Sequence, residues 1–251
     1  MIKASGSTHI GQVRSTNQDA YLIDQELGLY IVADGMGGHA GGEIASSIAT
    51  TEIQKYHQEY ARKSDLKTLQ ESEICQHLAE AVNHASSRIY ERALEDPSLK
   101  GMGTTVTMIL SLEEKVYCAH VGDSRLYLVR DNFIYQVTSD HSWVNEQVKA
   151  GNITQEEAAV HHLKNVITRC VGYQEEEDVD TTGFEINHDD ILLLCSDGLH
   201  GKVHDKELST IVSKREESVV TELIDLANSR GGDDNITAIV AYFQSSDEVK
   251  K

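Results

Sequence analysis

Three apolar runs of this 251-residue chain end on an aspartate that adjoins a glycine. Leu29-Tyr30-Ile31-Val32-Ala33 delivers Asp34-Gly35, Cys118-Ala119-His120-Val121 delivers Gly122-Asp123, and Ile191-Leu192-Leu193-Leu194-Cys195-Ser196 delivers Asp197-Gly198. A fourth cluster, Gly232-Asp233-Asp234-Asn235, runs the opposite way, into the apolar run that opens at Ile236. Where strands are antiparallel, the end of one lies beside the start of its neighbour, so these carboxylates can gather at one edge. Gathered there they repel one another unless cations sit between them. An all-oxygen set without Cys or His suits hard ions such as Mg²⁺ or Mn²⁺. Two such ions can share a water, lower its pKa and hold a phosphoryl group for in-line attack. The neighbouring glycine lets the backbone turn sharply and offers an unshielded carbonyl, as at Gly35. A lone Asp-Gly is usually a turn; several at the ends of apolar runs form a constellation. Asp19, which follows Arg14-Ser15-Thr16-Asn17-Gln18, is a further candidate, and the Arg14 guanidinium is suited to clamp a phosphate through paired hydrogen bonds.

Rival chemistries fit less well. Gly35-Met36-Gly37-Gly38-His39-Ala40 has the G-x-G-x-x-A spacing of a dinucleotide site. Asp34 would then put a carboxylate where a pyrophosphate must sit, and the helical run that follows leaves no second strand with a ribose-binding acid. No Gly-Lys-Ser/Thr follows the glycines, which excludes a P-loop. A cysteine phosphatase needs a nucleophile loop ending in arginine; the stretch from Cys195 to Lys202 lacks it and is interrupted by Asp197.

The elements that must position these groups follow from periodicity. Short apolar, β-branched runs predict strands over 2–8, 20–23, 29–33, 104–110, 116–121, 125–129, 133–137, 191–195 and 236–242. A 3.6-residue spacing predicts helices over 42–60 and 73–94, and shorter ones over 142–150, 154–160, 206–213 and 217–229. Thr154 with Glu157 has the form of a capping box. Strands come in runs rather than alternating with helices, which predicts an α+β fold of mostly antiparallel sheets with helices outside. The expectation is a single domain over 1–244, an inserted segment over 140–172 and a polar tail over 245–251. With 22 Lys+Arg against 41 Asp+Glu the net charge is −19, which argues against a general nucleic-acid binder. The apolar runs are too short to span a bilayer, residues 1–20 lack a secretory signal, and Cys75, Cys118, Cys170 and Cys195 form no CxxC pair. The expectation is therefore a cytoplasmic protein with no membrane partner.

Eight motifs occur in order: Arg14-Ser15-Thr16-Asn17-Gln18-Asp19, Val32-Ala33-Asp34-Gly35-Met36-Gly37-Gly38-His39, Gly101-Met102-Gly103-Thr104-Thr105, His120-Val121-Gly122-Asp123-Ser124-Arg125, Thr138-Ser139-Asp140-His141-Ser142, Asn165-Val166-Ile167-Thr168-Arg169, Ser196-Asp197-Gly198-Leu199 and Gly232-Asp233-Asp234-Asn235-Ile236-Thr237. Together, over about residues 5–243, the chain resembles the bacterial branch of the metal-dependent (PPM, type 2C) serine/threonine protein phosphatases. The resemblance implies a four-layer α-β-β-α sandwich and hydrolysis of phosphoserine and phosphothreonine on proteins by metal-activated water, without a phosphoenzyme. It implies that Asp34, Asp197 and Asp234 hold a first Mg²⁺ or Mn²⁺, and that Asp34 and the Gly35 carbonyl hold a second with Asp19 acting through water. Asp123 and Asp197 match a third site, Arg14 matches the phosphate-binding arginine, and 140–172 matches the family's mobile flap. Eukaryotic members carry a histidine at the position of Met36 and a glutamate at that of Gln18, so His39 becomes the candidate general acid. The implied partners are phosphorylated proteins, including a cognate Ser/Thr kinase, met by a monomer. A binding module that senses phosphoproteins with the same cleft is the competing class; the intact aspartates argue against it. A switch phosphatase acting on an anti-sigma-factor partner would carry a diverged arginine motif. His120 and Cys195 are expected to be packed in strands, whereas His57, His77, His84, His161, His162 and His188 are expected at the surface.

Overall fold

The computed structural model describes residues 2–37 and 41–243. Two antiparallel sheets stack face to face. The first has the order β1 (Ile2–His9), β11 (Ile236–Phe243), β10 (Ile191–Cys195), β7 (Arg125–Arg130) and β8 (Phe133–Gln136). The second runs β2 (Asp19–Asp24), β3 (Leu29–Met36), β5 (Val106–Leu112), β6 (Lys115–Val121) and β9 (Asp180–Glu185), with the short β4 (Gly103–Thr104) paired to β3. Helices α1 (Gly41–Lys63) and α2 (Glu71–Glu95) cover the second sheet, and α6 (Asp205–Val212) and α7 (Val219–Ser229) cover the first. The short α5 (Asp197–His200) follows β10, while α3 (Trp143–Lys149) and α4 (Gln155–Val160) lie within 140–172. The expected four-layer α-β-β-α sandwich is the observed one.

The layers follow from alternation along each strand. In β3, Tyr30 and Val32 turn inward to meet Ile109, Leu192, Leu194 and Ile239 between the sheets. Leu29 and Ile31 turn outward to Ile53, Leu78 and Ala81 of the helices. On the other sheet, Leu193 and Val240 face Leu208 and Leu223. Both faces of the central strands are covered, which is why their sequences are continuously apolar rather than alternating. The predicted capping box is present, with Thr154 Oγ1 accepting from the Glu157 amide at 3.2 Å and Glu157 Oε2 accepting from the Thr154 amide at 2.8 Å.

Two departures from the sequence reading have physical causes. Strand β9, Asp180-Thr181-Thr182-Gly183-Phe184-Glu185, was not expected; it is an edge strand whose first three residues are exposed, so it carries no apolar run. His57 and His77, expected at the surface, are buried between α1 and α2, with His57 Nδ1 and His77 Nε2 2.9 Å apart and Tyr60 stacked on His77 at 3.9 Å. Each continues an apolar stripe at helical spacing, His57 four residues after Ile53 and His77 three after Ile74.

Burial lowers the pKa of both imidazoles, that of His77 to about 4. The folded pair is therefore neutral, and an unfolded chain takes up protons more readily. Its contribution to stability is complete above the ordinary histidine value near 6.5 and is lost as pH falls towards 4. The expected outcome is that His77→Gln, which cannot titrate, loses less thermal stability than wild type between pH 7 and pH 4.5. Parallel melting profiles for the two proteins would contradict this.

Candidate active site

The register of β2 against β3 sets Asp19 directly opposite Asp34. The Asp34 backbone is pinned on both sides: its amide donates to Thr105 Oγ1 at 2.9 Å, and its carbonyl accepts from the Thr105 amide at 2.8 Å and from Thr104 Oγ1 at 2.9 Å. Thr105 Oγ1 also lies 2.8 Å from Ser124 Oγ, which ties the loop bearing Asp123 to the same strand end. At Gly35 the start of α1 packs against the strand so closely that a Cβ would strike the Gly42 and Gln18 carbonyls. Only glycine permits that approach.

The first sheet supplies the opposing wall. Strand β10 ends at Cys195, and the next two residues do different work. Ser196 Oγ donates to Asp19 Oδ2 at 2.8 Å, and Asp197 turns into α5 beside the cleft. Thr237 Oγ1, from β11, donates to the same Asp19 oxygen at 2.6 Å, while the Thr237 amide donates to Ser196 Oγ at 3.0 Å. Asp19 thus belongs to the second sheet and is gripped by hydroxyls of the first. At Gly198 a Cβ would collide with the Asn235 carbonyl, so the Asp197 turn and the Asp234 turn touch backbone to backbone.

Arg14, Asp34, Gly35, Asp123, Asp197 and Asp234 line one cleft of about 290 Å³, and Asp19 lies buried beneath it. His39 lies outside the described residues. Arg14 Nη2 donates to Asp234 Oδ2 at 2.6 Å. Sequence reasoning assigned no role to Asn235, which is buried and closes the loop around Arg14. Its Oδ1 accepts from the Gln18 amide at 2.8 Å, and its Nδ2 donates to the Ile10 carbonyl at 2.9 Å and the Thr16 carbonyl at 3.0 Å. Its place directly after Asp233-Asp234 was the available signal. Asp233, by contrast, pairs with Lys202.

Segment 140–172 reaches the same cleft through Asn165 and Ile167. Its beginning is fixed by a fork of Arg125 on Asp140, with Nε–Oδ1 at 2.9 Å and Nη2–Oδ2 at 2.7 Å. The Gly122 carbonyl accepts from the His141 amide at 2.7 Å, and the Gly122 amide donates to His141 Nδ1 at 3.1 Å, one residue from Asp123. The Trp143 amide donates to the Val166 carbonyl at 2.8 Å, closing the segment on itself.

Electrostatically the cleft is strained. Burial raises the Asp19 pKa to about 7 despite the two hydroxyl donors, and raises Asp123 to about 7 with Asp197 adding to it. Asp34 lies well above the ordinary carboxylate range, through burial and then the charges of Asp19 and Asp197; Asp197 is raised by burial and by Asp234. Asp19 Oδ1 and Asp197 Oδ1 are buried without a hydrogen-bond partner. Buried acceptors left unpaired cost about 1–3 kcal/mol each, more when charged. Among the described residues no three His, Cys, Asp or Glu side chains are drawn into a preassembled metal shell. Oxygen donors alone, two of them orphaned, fit hard divalent cations.

The comparisons agree with this geometry. A family model described as Protein phosphatase 2C matches residues 5–241. The serine/threonine phosphatase Stp of Listeria welshimeri is 37% identical, the match covering 93% of this chain and 92% of that one. The solved structure of the S. agalactiae serine/threonine phosphatase superimposes with a TM-score of 0.88 at 37% identity, covering 97% of this chain and all (100%) of that one. The catalytic domain of the serine/threonine phosphatase PstP, solved in complex with two manganese ions, gives 0.84 at 32% identity over 97% and 99% of the two chains. On these matches the chain belongs to the protein phosphatase 2C family and is a protein-serine/threonine phosphatase of the bacterial kind.

Proposed function

We propose that the chain hydrolyses phosphoserine and phosphothreonine on proteins at a binuclear Mg²⁺ or Mn²⁺ centre, opposing a Ser/Thr kinase as a cytoplasmic monomer. The observation that carries this reading is the convergence of Asp19, Asp34, Asp123, Asp197 and Asp234 from separate chain segments, with orphaned buried oxygens on Asp19 and Asp197. Asp34, Asp197 and Asp234 would hold one ion; Asp34 and the Gly35 carbonyl would hold the other, with Asp19 acting through water; Asp123 and Asp197 would offer a third site. Bound there, the ions supply positive charge for the phosphoryl oxygens and a nucleophile from water at neutral pH.

The remaining work falls to side chains. Arg14 presents a guanidinium at the mouth of the cleft, half-exposed and free to exchange its Asp234 contact for a phosphoryl group. Asn235 fixes the loop that aims it. Asn165 and Ile167 flank the opening, where the peptide around the phosphoresidue must pass. Segment 140–172 acts as the flap that adjusts this passage. Among the described residues lining the cleft none is a histidine, and His39 is the proposed proton donor to the departing alkoxide. Four free cysteines, two of them buried, accord with a reducing cytoplasm.

Phosphate release from a phosphothreonine peptide tests the proposal. Turnover should require Mg²⁺ or Mn²⁺, stop with EDTA, and fall by on the order of 100-fold or more in Asp34→Ala and Asp197→Ala. Activity that survives EDTA would overturn it, as would a wild-type protein that binds Mn²⁺ and stays silent. Arg14→Ala removes a charged hydrogen-bond donor worth about 1.5–3 kcal/mol, so kcat/KM should drop on the order of 10–100-fold; an unchanged value would remove Arg14 from phosphate binding.

The carboxylates also set a pH dependence. A raised pKa means that the folded, metal-free protein favours the protonated acid, so the stability tied to protonated Asp19 and Asp123 is present below the ordinary carboxylate value. It is lost as pH rises towards about 7. Cations replace those protons. Mn²⁺ should therefore raise the melting temperature more at pH 8 than at pH 5.5; an equal rise at both would contradict the assignment.

A further inference from the structure

Asp123 and Asp197 reach the cleft from different parts of the chain, Asp123 from the loop between β6 and β7 and Asp197 from the start of α5 after β10. Two like charges brought together repel, so the backbone must hold them at the separation an ion needs. On its flanks the Asp123 loop is tied to the second sheet and to segment 140–172. Ser124 Oγ lies 2.8 Å from Thr105 Oγ1, and the Gly122 amide and carbonyl both meet His141. At Gly122, where φ is +110°, a Cβ would strike the Thr105 side chain. None of these contacts sets Asp123 relative to Asp197.

His200 supplies one that does. Its Nε2 lies 3.0 Å from the Asp123 carbonyl. A carbonyl has no proton to give, so the shared hydrogen sits on Nε2 and the imidazole donates. His200 closes α5 three residues after Asp197, and the Gly201 amide that follows it donates to the Asp197 carbonyl at 2.8 Å. Between the two, Leu199 is fully buried with Val203 and Leu208 in the core of the first sheet's helical layer. The core therefore fixes the base of the ring, while its tip grips the peptide that carries the other carboxylate.

We propose that His200 is a positioning residue for the third cation site, its N–H holding the Asp123 peptide against the turn that bears Asp197 so that both carboxylates address one ion. The inference rests on the metal-dependent reading of the cleft and goes beyond it by giving the third site a support of its own. The supports of the other ligands, Thr104 and Thr105 at Asp34 and Ser196 and Thr237 at Asp19, do not pass through His200. Loss of the imidazole N–H weakens one class of ion and spares the rest.

Mn²⁺ titrated calorimetrically into the full-length chain reads the sites without turnover. With only two carboxylates, the third site forms the weaker class. Wild type should show a tight class and a weaker one, the weaker being absent in Asp123→Ala. His200→Phe should weaken that class by about tenfold or more and leave the tight class unchanged. His200→Gln, whose amide N–H can reach where Nε2 stood, should restore it; His200→Asn, with the same amide on a shorter stem, should not. An unaltered weaker class in His200→Phe overturns the inference, as does equal affinity in the Gln and Asn variants or a parallel weakening of both classes. A wild-type chain with a single class overturns the third site itself, and one that binds no Mn²⁺ overturns the metal reading on which it rests.

Discussion

The structure turns on one buried carboxylate. Asp19 sits at the start of β2 and is held by Ser196 and Thr237 of the facing sheet, so a single side chain bolts the two layers together at the edge where the other acids collect. One of its oxygens is fully engaged and the other has no partner. The same group that fixes the spacing of the sheets therefore carries an unmet demand for positive charge. Folding and chemistry are coupled at this point, because apolar burial on both sides of the sheets forces the acids into a low-dielectric edge where only protons or cations can neutralise them.

Two devices let the chain tolerate that arrangement. Glycines at 35 and 198 allow backbone to touch backbone, which brings turns from different sheets within reach of one another without side chains in between. Hydroxyls at 104, 105 and 196 then satisfy the strand ends where the ladders stop, so the acids rather than stray amides and carbonyls face the cleft. The apolar sandwich behind them gives rigidity, and segment 140–172 is anchored to it through Arg125, Asp140 and Gly122.

Much of this was legible in the sequence because strand-end aspartates follow directly from where apolar runs stop. Asp34, Asp123, Asp197 and Asp234 needed only the antiparallel rule to be gathered, and the central strands announced their double burial by having no polar face. What escaped was of two kinds. Strand β9 is stabilised by backbone pairing at an exposed edge, and such pairing leaves no hydrophobic signature. Asn235, His57 and His77 act through contacts with residues distant in sequence, the His57–His77 bond spanning two helices. An asparagine or histidine looks the same in one dimension whether it is solvated or clamps a loop. His57 and His77 did lie on their helices' apolar stripes, and reading polar residues into a stripe would have found them.

The central claim is that protons occupy the carboxylate cluster until cations displace them. Isothermal titration of Mn²⁺ at pH 6, repeated in buffers of different ionisation enthalpy, measures that displacement directly. The account predicts net proton release on binding, since Asp19 and Asp123 are held near a pKa of about 7 by burial. Binding enthalpies that do not vary with the buffer would mean that no proton leaves and that the cluster is already ionised, which contradicts it.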